Sequence, residues 1–119
     1  GDDAALIPFN KNEFMAISMD TLNIGHHFTE DSDPYYLGWK SLAVNVSDIV
    51  SMGGQPRYAL LSISLKNLDV NWIGKFTKGI KACAKMLHST GCMLHATSYM
   101  LHATCYMLHA TCYMLHAQA

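Results

Sequence analysis

A seven-residue unit repeats through the last part of the chain and limits how much of it can form an ordinary core. From Met86 onward the sequence reads MLHSTGC, MLHATSY, MLHATCY, MLHATCY and MLHAQA. As a helix, this unit places polar residues between apolar arcs, so no single apolar stripe forms. As a strand, an odd period moves each successive unit to the opposite face of a sheet. We therefore expect residues 88–119 to form an irregular, dispensable low-complexity tail, and residues 1–87 to form the folded domain.

Two origins fit the repeat. Nearly identical units are what a tandem DNA repeat read through in frame would produce, and we prefer this interpretation. The alternative is a soft-metal site, because Cys105 and His109, like Cys112 and His116, are four residues apart. That spacing brings two side chains together on a helix, and cysteine and histidine are both residue types that bind zinc in proteins.

Before the repeat, strand signals and helix signals alternate. The segments AALIPF, EFMAISMD and RYALLSISL have the length and residue types of strands. Asp33 and the proline after it predict a helix that runs to about Met52 and ends at Gly53. Asp69 predicts the start of a second helix over 70–87. Its apolar stripe is Ile73, Phe76, Ile80, Cys83 and Leu87. This order predicts an α/β (α+β) fold with helices packed on one face of a small sheet.

Composition excludes several classes of protein. The 119 residues include 8 basic and 9 acidic side chains, which is not the charge balance of a nucleic-acid binder. No apolar run approaches the roughly 20 residues of a membrane helix, and the N-terminal segment has no signal-peptide pattern. The four cysteines have no disulfide spacing, which is typical of reduced thiols in the cytoplasm.

Several oxygen-bearing side chains occupy positions where a metal site is possible. On the first helix, Ser41, Asn45 and Asp48 share one face, while Trp39, Ala43, Val46 and Val50 share another. Asp2 and Asp3 precede the first strand, and Asp20 ends the second. Carboxylates at such positions suit Mg²⁺, which takes one or two of them and completes its shell with water and phosphate. Judged only by its position on the first helix, Asp48 is more often a solvated carboxylate on a half-exposed helix than a metal ligand.

Longer motifs resemble a known family. The segments GDDAALI, ISMDTLNIGHHF, LAVNVSDIVSMG and VNWIGKFTKGIKA are similar to the N-terminal domain of the thiamine-monophosphate kinases, in order, over residues 1 to about 85. That family belongs to the aminoimidazole ribonucleotide synthetase-like superfamily. The resemblance implies ATP-dependent, Mg²⁺-assisted phosphoryl transfer to thiamine monophosphate, giving thiamine diphosphate, without a covalent nucleophile. It also implies a homodimer formed through the sheet.

The resemblance also implies roles for individual residues. Asp3, Ser18, Asp20 and Asp48 match the Mg²⁺ ligands, with Asp48 bridging several ions, and Asp2 is a further candidate. Met19 stands where the family has threonine, so only its backbone can contribute, because a thioether is a poor ligand for Mg²⁺. His27 matches the histidine that contacts the thiamine phosphate.

Other positions depart from the family pattern. The motif GGDT is expected near 93–95, where this chain has Met93, Leu94 and His95, and the family's second α/β domain is absent. We therefore expect the chain to be an incomplete domain that is inactive by itself. There are two alternatives: the chain is a non-catalytic dimerising fragment, or it is another ATP-using member of the superfamily.

Overall fold

Two helices cover one face of a five-stranded sheet in the computed structural model. It describes residues 5–65, 67, 69–89, 95–102 and 107–117, with side chains as far as residue 87 apart from those of residues 60 and 62. The elements are, in chain order, β1 (Ala5–Pro8), β2 (Glu13–Asn23), α1 (Pro34–Ser51), β3 (Pro56–Ser64), α2 (Val70–Ser89), β4 (His95–His102) and β5 (Met107–Ala117). The expected α/β fold class is confirmed.

Both helices start at the capping residues that the sequence predicts. The Asp33 carboxylate accepts a hydrogen bond from the Tyr35 backbone N–H at 2.9 Å, and Pro34 occupies the first turn of α1. The Asp69 carboxylate accepts from the backbone N–H of Trp72 at 3.1 Å at the start of α2. Each cap satisfies N–H groups that have no partner within the helix. α1 ends where Gly53 takes a positive φ of 77°, a conformation that glycine adopts without strain.

The strand order is β1-β2-β5-β3-β4, so the repeat supplies two of the five strands. β5 runs antiparallel to both β2 and β3, and β4 runs parallel to β3 at the edge. The expectation of an irregular tail is therefore wrong for residues 95–102 and 107–117. The physical reason is that β2 and β3 both offer backbone hydrogen-bonding groups, and an apolar segment of strand length can pair with both, whatever its period.

The strand geometry also removes the helical basis of the soft-metal hypothesis. Cys112 and His116 both lie in β5, where four residues span about 13 Å rather than one helical turn. Cys105, the first member of the other pair, lies outside the described residues, so nothing in the structure tests that pair. The division of the chain at residues 87 and 88 stays a prediction.

The core lies between the helices and one face of the sheet. Apolar side chains from the sheet and from both helices are buried there: Ala16, Leu22, Leu37, Leu42, Val46, Ile49, Ile63, Phe76, Ile80, Cys83 and Leu87. The predicted stripe of α2 is confirmed at Phe76, Ile80, Cys83 and Leu87. The predicted apolar face of α1 is wrong at Val50, which is 52% exposed near the end of that helix.

Burial raises the pKa of the Cys83 thiol to about 11, so the thiol is protonated at neutral pH.

Neither helix covers the opposite face of the sheet, which we call the open face. Residues alternate between the two faces along each strand, and Ala16, Ser18 and Leu22 of β2 are buried on the helix side. Ile7, Met19 and Tyr58 lie on the open face and are 47%, 64% and 44% exposed. Within the described residues, no helix is long and apolar enough to cross a membrane.

Candidate metal and phosphate site

Ser18 and Asp48 meet where α1 crosses β2. Ser18 lies on the helix side of β2 and is only 4% exposed. Its hydroxyl donates a hydrogen bond to Asp48 Oδ2 at 3.1 Å, across 30 residues of sequence. Because the O–H is used as a donor, the oxygen of Ser18 keeps lone pairs for a cation. This contact joins two of the predicted metal ligands.

Asp20 completes the described part of the site. It lies two residues after Ser18, on the same side of β2, next to Asp48. Burial raises the pKa of Asp20 most; the charge of Asp48 and a hydrogen bond between the two carboxyl groups raise it further, and His27 opposes them. A carboxyl whose pKa is raised by folding contributes stability at low pH, and that contribution is lost as pH rises through the raised pKa. A cation between the two carboxylates would remove their repulsion.

The available donors fit a hard cation. Two carboxylates and one hydroxyl form an all-oxygen set, and Mg²⁺ commonly uses one or two carboxylates with water and substrate phosphates. Among the described residues, no group of three or more His, Cys, Asp and Glu side chains is placed to hold a metal ion. Asp2 and Asp3, the other predicted carboxylates, lie outside the described residues. The described residues therefore form a cluster of two carboxylates and a hydroxyl on the helix side of β2, and its role as a magnesium site stays a prediction.

Met19 does not contribute a side chain to this site. It lies between Ser18 and Asp20 in β2, so its thioether is on the open face. The thioether is therefore not among the donors of the cluster, and the role of the Met19 backbone stays a prediction.

His27 lies in the loop after β2, and the backbone of Asn23 holds it. Its main-chain N–H donates to the Asn23 carbonyl at 2.9 Å, and its ring atom Nδ1 accepts from the Asn23 N–H, also at 2.9 Å. The Lys40 ammonium group of α1 donates to the His27 carbonyl at 3.3 Å. His26 is exposed, with its ring centroid 6.5 Å from that of His27. Sequence reasoning missed Asn23 and Lys40, because a backbone donor and a lone lysine leave no motif.

Two further polar residues of α1 serve the helix itself. The Ser41 hydroxyl donates to the Gly38 carbonyl at 2.8 Å, and the Asn45 amide donates to the Ser41 carbonyl at 3.1 Å. Asn45 is completely buried, and its Oδ1 accepts no hydrogen bond from the described residues. Ser41 and Asn45 therefore share the face of Asp48, as predicted, and Asp48 is the one of the three that is hydrogen-bonded to Ser18, a predicted ligand within the described residues.

Curated relatives of this chain are thiamine-monophosphate kinases. The enzyme of Buchnera aphidicola subsp. Acyrthosiphon pisum is 46% identical over 77 residues, which are 65% of this chain and 24% of the relative. The enzyme of Escherichia coli K12 is 41% identical over 80 residues, or 67% of this chain and 25% of the relative. The chain thus spans about a quarter of the length of these relatives.

Solved structures that are similar to this chain also include thiamine-monophosphate kinases. Thiamine-monophosphate kinase from Stenotrophomonas maltophilia K279a has a TM-score of 0.82 and 32% identity, covering 98% of this chain and 35% of that one. The structure described as AaThiL complexed with AMPPCP and TMP has a TM-score of 0.77 and 27% identity, covering 96% and 35%. The family described as AIR synthase related protein, N-terminal domain, matches residues 1–96. The resemblance inferred from the motifs is confirmed, and the chain belongs to the family of AIR synthase related proteins, within their N-terminal domain.

Proposed function

We propose that this chain is the metal- and phosphate-binding domain of a kinase that converts thiamine monophosphate to thiamine diphosphate with ATP and Mg²⁺. The observation that carries the proposal is the cluster of Ser18, Asp20 and Asp48, in which the Ser18 hydroxyl donates to Asp48, and burial and then the neighbouring Asp48 raise the pKa of Asp20. The names of the relatives support it, as does the neighbouring structure that holds AMPPCP and TMP.

In this proposal each residue has a separate task. Asp20 and Asp48 would hold the cation, the Ser18 hydroxyl fixes the orientation of Asp48, and His27 contacts the phosphate of the acceptor. Asp3 would add a carboxylate, with Asp2 and the Met19 backbone as further donors. When bound, Mg²⁺ neutralises phosphate charge that otherwise keeps donor and acceptor apart. The transfer is direct and in line, so no side chain acts as a covalent nucleophile.

Asp48→Asn should weaken Mg²⁺-dependent binding of AMPPCP and of thiamine monophosphate at least tenfold. The variant keeps the shape of the side chain but removes one of the two charges that face the cation. Because it also ends the repulsion with Asp20, the melting temperature without Mg²⁺ should stay the same or rise. Titration calorimetry and thermal unfolding measure the two effects. Asp31→Asn is the matched control, since it removes an exposed carboxylate in the loop before α1. Equal affinities in all three proteins would show that Asp48 is only a solvated carboxylate.

The 119 residues alone should form thiamine diphosphate at least a thousandfold more slowly than an intact thiamine-monophosphate kinase. The positions expected to carry GGDT hold Met93, Leu94 and His95, so a metal carboxylate and a nucleotide contact are missing. In-line transfer depends on close positioning of both phosphates, and each ~1.4 kcal/mol of lost positioning reduces the rate tenfold. The measurement is product formation from ATP and thiamine monophosphate with Mg²⁺. A rate near that of an intact relative would contradict the expectation.

We also propose that two copies associate through the open face of the sheet, in the cytoplasm where thiols such as Cys83 stay reduced. Met19→Lys should shift the population towards monomer, because it places a charge on that face, where Met19 is 64% exposed. Val50→Lys is the control, since Val50 is also about half exposed but lies on α1, on the other side of the sheet. Sedimentation at several concentrations measures the change.

Dimers without any nucleotide binding would favour the alternative of a non-catalytic module, whereas binding of ATP without thiamine monophosphate would favour another member of the superfamily.

A further inference from the structure

We infer that the Asn23 backbone holds the His27 ring as a neutral Nε2–H donor, and that this donor is what the site offers to a phosphate oxygen. The inference extends the proposed function, and its second half rests on it. The first half rests only on contacts within the loop after β2.

The tautomer follows from the identity of the donor. A backbone N–H can only donate, so the contact of 2.9 Å between the Asn23 nitrogen and Nδ1 requires a lone pair on Nδ1. A neutral imidazole with an acceptor at Nδ1 carries its proton on Nε2. The ring therefore presents an N–H to its surroundings and matches an acceptor such as a phosphate oxygen, but not a ligand that itself donates.

The loop geometry explains why the Asn23 N–H is available. Asn23 is the last residue of β2, and among the described residues β1 pairs with β2 only as far as Ile17. The far end of that edge of β2 thus has no described strand beside it. The His27 ring takes the place of a neighbouring strand by accepting the N–H. The Asn23 carbonyl in turn accepts from His27 N–H, so residues 23 and 27 are joined in both directions.

Two further features hold the loop in this shape. Gly25 has a φ of 83°, and its N–H donates to the Phe28 carbonyl at 2.7 Å, which closes the turn. The Lys40 ammonium group donates to the His27 carbonyl and ties the loop to α1, the helix that carries Asp48. Asn23, Gly25 and Lys40 are thus positioning residues for His27.

Nitrogen-15 NMR of the full chain tests the tautomer directly. At about pH 8.5, where an ordinary imidazole is neutral, a scalar coupling across the hydrogen bond should connect the Asn23 amide nitrogen with His27 Nδ1. The two ring nitrogens of His27 should show the separated shifts of a single tautomer. His26, which is exposed and next in sequence, is the internal reference for an averaged ring. A missing coupling together with averaged His27 shifts would overturn the inference.

Substitutions separate the two roles of the ring. Asparagine places an acceptor near the position of Nδ1 and has nothing at Nε2. His27→Asn should therefore keep the loop shifts of Gly25 and Phe28 but weaken thiamine monophosphate binding at least fivefold, whereas His27→Ala should change both. Lys40→Met should broaden the His27 signals, Lys40→Arg should restore them, and Lys75→Met, an exposed lysine of α2, should leave them unchanged.

The ligand half has a separate readout. Addition of thiamine monophosphate with Mg²⁺ should move the His27 Nε2 signal, and addition of thiamine, which has no phosphate, should not. An unchanged Nε2 signal at saturating thiamine monophosphate would overturn the donor role, even with the coupling to Asn23 present. If thiamine monophosphate does not bind at all, the proposed function itself fails. The coupling alone then decides whether the Asn23 backbone holds the His27 ring as a neutral Nε2–H donor.

Discussion

Deletion of residues 103–119 should abolish cooperative unfolding of this chain or lower its melting temperature by well over 10 °C. β5 lies between β2 and β3 and pairs with all eleven residues of β2, from Glu13 to Asn23. Without it, the backbone groups of two strands lose their partners, and each buried group left without a hydrogen bond costs about 1–3 kcal/mol. A few such losses equal the total stability of a small domain, which is roughly 5–15 kcal/mol. Calorimetry and amide hydrogen exchange measure the effect.

Two proline variants make the same test without a deletion. Thr97 and Thr111 occupy the same position of the repeat, but Thr111 pairs with both Met19 and Leu60, whereas Thr97 falls at the register shift in the edge strand β4. Proline removes a backbone donor and is tolerated at edges and bulges but not in central strands. Thr111→Pro should cost several kcal/mol of unfolding free energy, and Thr97→Pro less than about 1 kcal/mol. Similar values for the two variants, or an unchanged melting temperature after deletion, would restore the original expectation of a dispensable tail.

Sequence reasoning succeeded where the relevant contacts are local. The carboxylate of Asp33 reaches an N–H two residues away, and that of Asp69 reaches N–H groups two and three residues away, so a short window of sequence contains the whole interaction. The repeat shows the opposite case. Its strands form because they pair with β2 and β3, which lie tens of residues earlier in the chain. No property of the repeat itself indicates that those strands have edges to pair with.

The candidate site divides in the same way. Ser18 and Asp20 are two residues apart in a strand, so the sequence alone places them on one face. The contact between Ser18 and Asp48 spans 30 residues, and the family resemblance alone predicted that these two residues belong to one site. The support of His27 by Asn23 was beyond both kinds of reasoning, because the donor is a backbone group that every residue except proline possesses.

Gly38→Ala and Gly79→Ala should each lower the free energy of unfolding by about 3 kcal/mol, at the upper end of overpacking effects. The two glycines lie where α1 and α2 cross. A Cβ on Gly38 would lie 2.9 Å from the carbonyl carbon of Phe76, and one on Gly79 would lie 2.8 Å from that of Tyr35, with the carbonyl oxygens nearer still. These are backbone atoms that cannot rotate away, so the helices must separate and loosen the contacts around Phe76.

Gly74→Ala is the matched control, because it lies in the same helix as Gly79 and has no heavy atom within 4 Å of an added Cβ. Alanine is favoured over glycine within a helix by roughly 0.5–1 kcal/mol, so this variant should be more stable than the parent. The double variant of Gly38 and Gly79 should cost less than the sum of the single changes, since one separation of the helices relieves both clashes. Denaturant unfolding monitored by circular dichroism gives all four values. A stabilising effect of alanine at all three positions would mean that α1 and α2 do not approach as closely as the structure shows.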